Sequence, residues 1–213
     1  MPNDLLWPVA GTLIALLGLL VADYRENLAG RWAFKPLASA GFIATGLVAG
    51  ALGSAYGLLI LSGLVLSMLG DILLIPQART AFLAGLTAFL LGHIAYVGAF
   101  WIHGVAAWAV VVSAAPLVAL CLWLGRRYLP RIEAGMHRPV IVYAAIISLM
   151  LALAAGVVAA SGPWIILAGA ALFFASDLSV ARNRLLQPGF INRAWGLPAY
   201  YIGQLLLAAS IAF

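Results

Sequence analysis

Long apolar runs, separated by short polar segments, dominate the chain from one end to the other. Read against Gly, Pro and charged breakers, they predict eight helical spans, each close to the ~20 apolar residues that a membrane-crossing helix needs. The predicted spans are 5–22, 36–52, 56–75, 81–102, 105–124, 139–160, 163–180 and 195–213. The connections are too short to hold a soluble module, so we expect residues 1–213 to form a single transmembrane domain.

The composition agrees with this interpretation. Of the 213 residues, 66% are hydrophobic and only 8% are charged, which lies far outside the composition of a soluble globular domain. The expected fold is therefore all-α, a polytopic membrane bundle of about eight transmembrane helices. The residues before the first run carry an acid and no base, unlike a secretory signal peptide, so we expect this run to be retained as a span.

The basic residues mark one side of the predicted bundle. All eleven Lys and Arg residues fall in or beside the odd-numbered connections. By the positive-inside rule these loops are cytoplasmic and both termini lie on the opposite side. We expect a multi-pass protein of a bacterial inner membrane. The formal net charge of +5 is spread over separate loops rather than one dense block, so it indicates orientation and not nucleic-acid binding.

Two aspartates lie inside predicted spans, where an ionisable group costs roughly 2.5–3.5 kcal/mol on insertion scales. Asp71 lies near the end of the third span and Asp177 near the end of the seventh, both close to the basic side. Two such carboxyls can share a proton and divide the roles of acid and base between them. The alternative is that each one caps a helix or pairs with an arginine at the membrane surface.

The surroundings of the two aspartates also suggest an internal repeat. A parallel four-plus-four duplication would keep both halves in one orientation, as in some transporters. The matching segments are only two residues long, so chance is the alternative. They are Gly70-Asp71 with Ser176-Asp177, and Gly92-His93 with Gly203-Gln204.

Other polar side chains inside the spans are candidate site residues. His93 shares a helical face with Tyr96, and Tyr200 lies one turn before Gln204. Each could serve a site, and each could equally bridge two helices or anchor the chain at the interface. Lys35 opens the second span, where it could contact a phosphate or merely extend to the membrane surface.

The sequence carries no signature of a metal or cofactor site. Walker, dinucleotide and His-Glu-x-x-His motifs are absent, and Ser176 does not lie in a nucleophile elbow. His103 and His137 fall in loops on opposite sides of the membrane, so the histidines cannot form a zinc site. Cys121 is the only cysteine, which excludes an intramolecular disulfide. We expect no metal and no cofactor.

Five short motifs follow one another between residues 35 and 204. They are Lys35-Pro36, Gly70-Asp71, Phe89 to Tyr96 with Gly92-His93, Ser176-Asp177 with Ala181, and Pro198-x-Tyr200-Tyr201-x-x-Gln204. Together and in this order they resemble the YhhN family of eight-span membrane proteins, whose characterised animal members are lysoplasmalogenases. The specificity of the resemblance comes from the set, because each motif is short.

The resemblance implies an enzyme that hydrolyses the vinyl ether bond of a lysoplasmalogen and releases a fatty aldehyde and a glycerophospho-base. Its substrate would be a lysophospholipid-type molecule among the membrane lipids. One of Asp71 and Asp177 would donate a proton, and the other would stabilise the resulting oxocarbenium ion and activate water, as paired carboxylates do in glycosidases. The predicted substrate-binding residues are Lys35, His93, Tyr96, Ser176, Tyr200, Tyr201 and Gln204.

Two other functions fit the same pattern. A proton-coupled transporter of a lipid or small solute could use the same aspartates as coupling sites. A structural or lipid-sensing protein would use neither of them for chemistry. An enzyme releases aldehyde in detergent without a gradient, whereas a transporter leaves its ligand intact. The oligomeric state does not follow from the sequence.

Overall fold

A computed structural model describes residues 3–213, with side chains from residue 4 onward. These residues form eight long helices and no strand. The helices are α1 Leu6–Tyr24, α2 Leu28–Val48, α3 Ala55–Leu73, α4 Arg79–His103, α5 Ala107–Tyr128, α6 Ala134–Ala159, α7 Trp164–Ala181 and α8 Phe190–Ala209. The protein is therefore an all-helical membrane bundle, as the sequence predicts.

Six of the eight helices are long and apolar enough to cross a membrane by length and composition alone. The other two are α2 and α8, which carry charged residues in their first halves. Arg31 and Lys35 lie in α2, and Arg193 lies in α8. The structure thus has the predicted number of helices and supports six of the eight predicted spans directly.

Three helices begin at least five residues earlier than the predicted spans. The sequence predicts Pro36 and Pro139 at helix starts, and this prediction is wrong, because both lie inside their helices. A proline removes one backbone N–H and disturbs one turn, but the turns before it can still form when their own start is capped. At α2 the side chain of Asn27 accepts a hydrogen bond from the Gly30 N–H at 3.0 Å. Similarly, α8 begins at Phe190 rather than at residue 195.

One close contact between neighbouring helices recurs in the two halves of the chain. The most extensive helix pairs are α3 with α4 and α7 with α8. A side chain at Gly92 would lie 3.2 Å from the carbonyl oxygen of Gly63, and one at Gly203 would lie 2.9 Å from that of Gly169. Gly63 and Gly169 each lie eight residues before the aspartate of their own helix. These contacts correspond in position under the parallel four-plus-four repeat that the sequence suggests, which stays a prediction.

Gly203→Ala is expected to lower the melting temperature of the protein in detergent. The added methyl group would lie 2.9 Å from the Gly169 carbonyl oxygen and 3.1 Å from the Phe173 backbone nitrogen, so α7 and α8 must separate. Overpacking of this kind costs about 1–3 kcal/mol. The control is Gly11→Ala in α1, where an added methyl group meets no atom within 4 Å. Equal melting temperatures for the two variants would contradict the close approach.

Helix α5 stands apart from the rest of the bundle. It packs mainly against α6, and Ala109 is its one buried residue. A cavity of about 1610 Å³ lies between α5 and the other helices. The cavity follows α5 from Val110 to Tyr128, a distance of ~27 Å along the helix axis. It therefore runs through most of the bundle and reaches the end at which the basic residues lie.

Candidate active site

Asp71 lies in the first of two polar clusters and is 2% exposed. Its Oδ2 accepts hydrogen bonds from the Ser39 and Tyr200 hydroxyls, both at 2.7 Å. The Lys35 ammonium lies 3.2 Å from Oδ1. The Lys35 carbonyl oxygen lies 3.0 Å from the Ser39 hydroxyl, as a second acceptor for its single hydrogen, and also accepts a hydrogen bond from Tyr201 at 3.2 Å. Two hydroxyl donors and an ammonium suit an ionised carboxylate.

Asp177 lies in the second cluster, which is contributed by α4, α6 and α7. The Tyr143 hydroxyl donates to its Oδ2 at 3.0 Å. The Nε2 atom of His93 lies 3.3 Å from the same oxygen. His93 is only 1% exposed, so it cannot exchange its contact with Asp177 for one with bulk water.

The other ring nitrogen of His93 restricts how this contact can be made. Nδ1 lies 2.7 Å from the backbone carbonyl oxygen of Phe89, and because a carbonyl can only accept, Nδ1 carries a hydrogen. In a neutral imidazole Nε2 is then bare and cannot donate to Asp177. Nε2 accordingly has no hydrogen bond within the described chain, although it lies near Oδ2 of Asp177. The contact becomes favourable only when one additional proton lies on His93 or on Asp177.

Aromatic rings fill the space between the two clusters. The Phe173 ring centroid lies 4.3 Å from that of His93 and 5.4 Å from that of Tyr200. Phe89, whose carbonyl orients His93, lies 5.8 Å from Tyr200. Both aspartates line the same cavity. The two clusters thus share one cavity, and aromatic rings pack between them.

The sequence-predicted site residues fall into two groups. Those that line the cavity are Asp71, Asp177, Lys35, Ser176 and Tyr200. Those buried behind its wall, within the described residues, are His93, Tyr96, Tyr201 and Gln204. Tyr96 donates to the Gln204 side-chain oxygen at 2.7 Å, and the Ser176 hydroxyl donates to the Phe173 carbonyl at 2.8 Å. Tyr96 and Gln204 thus form a helix-bridging bond, which was the alternative role for them.

Sequence reasoning missed a group of charges at the mouth of the cavity. Asp23, at the end of α1, is 7% exposed. It pairs with Arg31, whose Nε lies 2.6 Å from Oδ1, and with Arg193. The signal was present, since Arg31, Lys35 and Ser39 recur every fourth residue. That spacing places them on one helical face, provided that the helix begins before Pro36.

Arg184 is a second residue that sequence reasoning did not single out. It lies in the π-helical turn Arg182–Leu186 that follows α7. Its guanidinium donates to the Leu74 carbonyl at the end of α3 and lies 5.6 Å from the Phe82 ring centroid. Tyr143 was also missed, because a single tyrosine in an apolar run resembles an ordinary core residue.

Comparison with known proteins identifies relatives of this chain. The YhhN family pattern matches residues 30–211, a range that includes both aspartate clusters. Lysoplasmalogenase TMEM86A of Homo sapiens is 35% identical over 154 residues, which cover 70% of this chain. The Bos taurus protein of the same name is 33% identical over 156 residues, also 70% of this chain. The chain spans 62% of the length of each relative. No solved structure gives a significant match. The chain belongs to the YhhN family.

Proposed function

We propose that the protein hydrolyses the vinyl ether bond of lysoplasmalogens, releasing a fatty aldehyde and a glycerophospho-base. The observation that carries this proposal is one long cavity with two aspartates near its basic end. Asp71 is paired with Lys35, and Asp177 lies beside His93. Membership of a family with relatives named lysoplasmalogenase supports it. A ligand site of this kind combines a large apolar wall with a few polar groups that orient the reacting bond.

A single-chain amphiphile suits the shape of the cavity. Its headgroup would lie at the basic end, and its hydrocarbon chain would lie along the apolar face of α5. Because α5 packs mainly against α6, the chain would enter sideways from the bilayer rather than through the aqueous phase. In a bacterial inner membrane, the positive-inside rule would place the basic end at the cytoplasmic face.

The first step is proton transfer to carbon. Asp177 lines the cavity and, together with His93, holds the additional proton that their contact requires. Asp177 delivers this proton to the vinyl carbon that is not bonded to oxygen. The π electrons form the new C–H bond, and an oxygen lone pair stabilises the resulting oxocarbenium ion. A positioned acid of this type contributes about 10²–10⁴-fold to the rate.

The second step is capture of the cation by water. Ionised Asp71, held by Ser39, Tyr200 and Lys35, accepts a proton from the attacking water and so forms the hemiacetal. As the hemiacetal collapses, Asp71 returns that proton to the departing glycerol oxygen. The hemiacetal hydroxyl gives its proton to Asp177. Both carboxyls thereby regain their starting states, and the aldehyde oxygen comes from water.

His93→Gln is expected to lower kcat for aldehyde release by about 10²-fold with little change in KM. A glutamine amide can donate a hydrogen bond to Asp177, but it cannot help to hold an acidic proton there. The matched control is His103→Gln, which changes an exposed histidine at the far end of the same helix and should retain the wild-type kcat. A wild-type kcat in His93→Gln would show that His93 only supports packing.

The direct test of the proposed activity uses the purified full chain in neutral detergent. Aldehyde is measured after incubation with a lysoplasmalogen and with the corresponding 1-alkyl lysophospholipid, which has an ether without the double bond. We expect aldehyde from the first lipid alone. Because detergent removes any gradient, this result would also exclude obligatory transport coupling. A correctly folded protein that releases no aldehyde would contradict the proposal.

A further inference from the structure

We propose that the part of the cavity farthest from the basic residues binds the hydrocarbon chain of the lipid, and that the small side chains of Ala114 and Ala152 determine which chain lengths it accepts. We call this part, lined by residues between 110 and 124 of α5 and between 144 and 152 of α6, the chain groove. The inference rests on the proposed function for its assumption that a lysophospholipid-type amphiphile occupies the cavity. It adds the residues that select the chain.

Only two helices extend the cavity into the chain groove. On α4, α7 and α8 the lining residues farthest from the basic end are Phe89, Phe174 and Tyr200, each within ten residues of that end of its helix. On α5 and α6 the lining continues to Val110 and Ala152, each eighteen residues from the corresponding helix end. The chain groove is therefore a narrow extension of a wider chamber that holds the two aspartates.

The chemistry of the chain groove suits a hydrocarbon. No charged side chain lines it among the described residues. Its two polar side chains are Cys121 and Ser148, and they satisfy each other, because the Cys121 Sγ atom lies 3.3 Å from the Ser148 Oγ atom. The groove thus offers no free polar group to a headgroup or to water, and apolar walls of this kind bind apolar ligands.

The reaction fixes where the chain begins. In a lysoplasmalogen the vinyl ether joins the hydrocarbon chain to glycerol, so a vinyl group at Asp177 places the first chain carbons there. The Tyr143 hydroxyl contacts Asp177 at 3.0 Å, and Ala152 lies nine residues beyond Tyr143, or ~13.5 Å along the helix axis. Bonds of ~1.5 Å at ~111° advance an extended chain by ~1.25 Å per carbon. About eleven carbons beyond the vinyl group therefore reach Ala152.

Ala114 faces the groove at the same level from the other helix. The neighbouring Ser113 hydroxyl lies 3.4 Å from the Ala152 carbonyl oxygen. Val110 lies about one turn beyond Ala114, ~6 Å further, and it packs closely on α6, where a side chain at Gly156 would lie 2.5 Å from its Cγ2 atom. A decyl chain would thus end before the two alanines, whereas a hexadecyl chain would pass between them and end before Val110.

The test measures binding without turnover. The 1-decyl and 1-hexadecyl lysophospholipids with one phosphocholine headgroup contain no vinyl ether, and their dissociation constants can be measured calorimetrically with the full chain at a fixed concentration of neutral detergent. In Ala114→Phe the phenyl ring would occupy the space of the last hexadecyl carbons. We expect this variant to bind the hexadecyl lipid at least ~10-fold less tightly than the wild type, and the decyl lipid within about 2-fold of the wild type.

The matched control is Ala119→Phe, which makes the same change at an exposed position of α5 outside the cavity. It should leave both affinities unchanged. Comparing each variant with the wild type for the same lipid cancels partitioning into detergent. A second measurement requires no variant. A hexadecyl lysophospholipid with a photoreactive diazirine at about the thirteenth chain carbon should label the wild-type peptides that contain Ala114 and Ala152.

Two binding results would overturn the inference. One is unchanged hexadecyl binding in Ala114→Phe, and the other is an equal loss for both lipids in the folded variant. Labelling confined to helices other than α5 and α6 would overturn it independently, because the chain would then leave the cavity sideways. The expected binding without any aldehyde release from lysoplasmalogens would contradict the proposed function alone. Aldehyde release without the chain-length effect would contradict this inference alone.

Discussion

Asp177→Asn is expected to lower kcat for aldehyde release by about 10²–10⁴-fold while the melting temperature stays close to that of the wild type. An amide cannot deliver an acidic proton to the vinyl carbon. Its oxygen can still accept the hydrogen bond from Tyr143 that Asp177 accepts at 3.0 Å, so the fold loses little. The measurement is steady-state aldehyde release in detergent together with thermal unfolding of the same sample.

The control for this variant is Asp4→Asn, which makes the same chemical change at an exposed residue before α1. It should leave both kcat and the melting temperature unchanged. Wild-type kcat in Asp177→Asn would remove Asp177 from the role of proton donor. The reverse assignment also needs Asp177, as the base, so this result would contradict the two-carboxylate mechanism in either form.

Asp71→Asn is expected to remove activity to a similar extent and, unlike Asp177→Asn, to destabilise the protein. Loss of the carboxylate leaves the Lys35 ammonium, whose side chain is 13% exposed, without its ionic partner. Breaking a buried ion pair on one side costs up to about 3–5 kcal/mol. We therefore expect a clear fall in melting temperature together with the loss of aldehyde release.

The double variant Lys35→Met with Asp71→Asn separates these two effects. Removing the ammonium as well as the carboxylate should restore much of the melting temperature, because no uncompensated charge stays buried. Activity should stay low, since no group is left to accept a proton from water. Recovery of activity together with stability would mean that Asp71 acts only in folding.

The ionisable residues of the site could be identified from the sequence because the cost of placing a charge in an apolar run is a local property. Asp71 and Asp177 stand out in this way without any knowledge of packing. Their partners do not. Ser39 and Tyr143 are ordinary residues in a helical sequence, and only the packing of α2 and α6 against α3 and α7 brings their hydroxyls to the carboxylates.

The position of α5 could not be predicted from hydrophobicity for a related reason. An apolar stretch of 18 residues has a mean hydropathy of 2.2 in α5 and 2.5 in α6, yet the buried share of that stretch is 6% in α5 and 44% in α6. Lipid chains are as apolar as a protein core, so a lipid-facing residue and a core-facing one look alike in sequence. The cavity beside α5 is therefore visible only in the three-dimensional structure.

The charge cluster at the mouth was missed because the first predicted loop is too long. If residues 23–35 form a loop, the four-residue spacing of Arg31 and Lys35 has no helical meaning. Nothing then indicates that Asp23 lies near either of them. Once α2 begins at Leu28, these side chains share one end of the bundle with the start of α8. Placing the start of α2 at Pro36 instead of Leu28 is thus the error that hid this charge cluster.

The measurement that tests the central claim most directly is hydrolysis of a lysoplasmalogen in deuterium oxide by the purified protein, with the aldehyde trapped as it forms. Proton transfer to carbon predicts one deuterium on the carbon next to the aldehyde group in each product molecule. Authentic aldehyde incubated and trapped in the same way corrects for exchange after release. Aldehyde without this deuterium, or no aldehyde from folded protein, would contradict vinyl ether hydrolysis by this site.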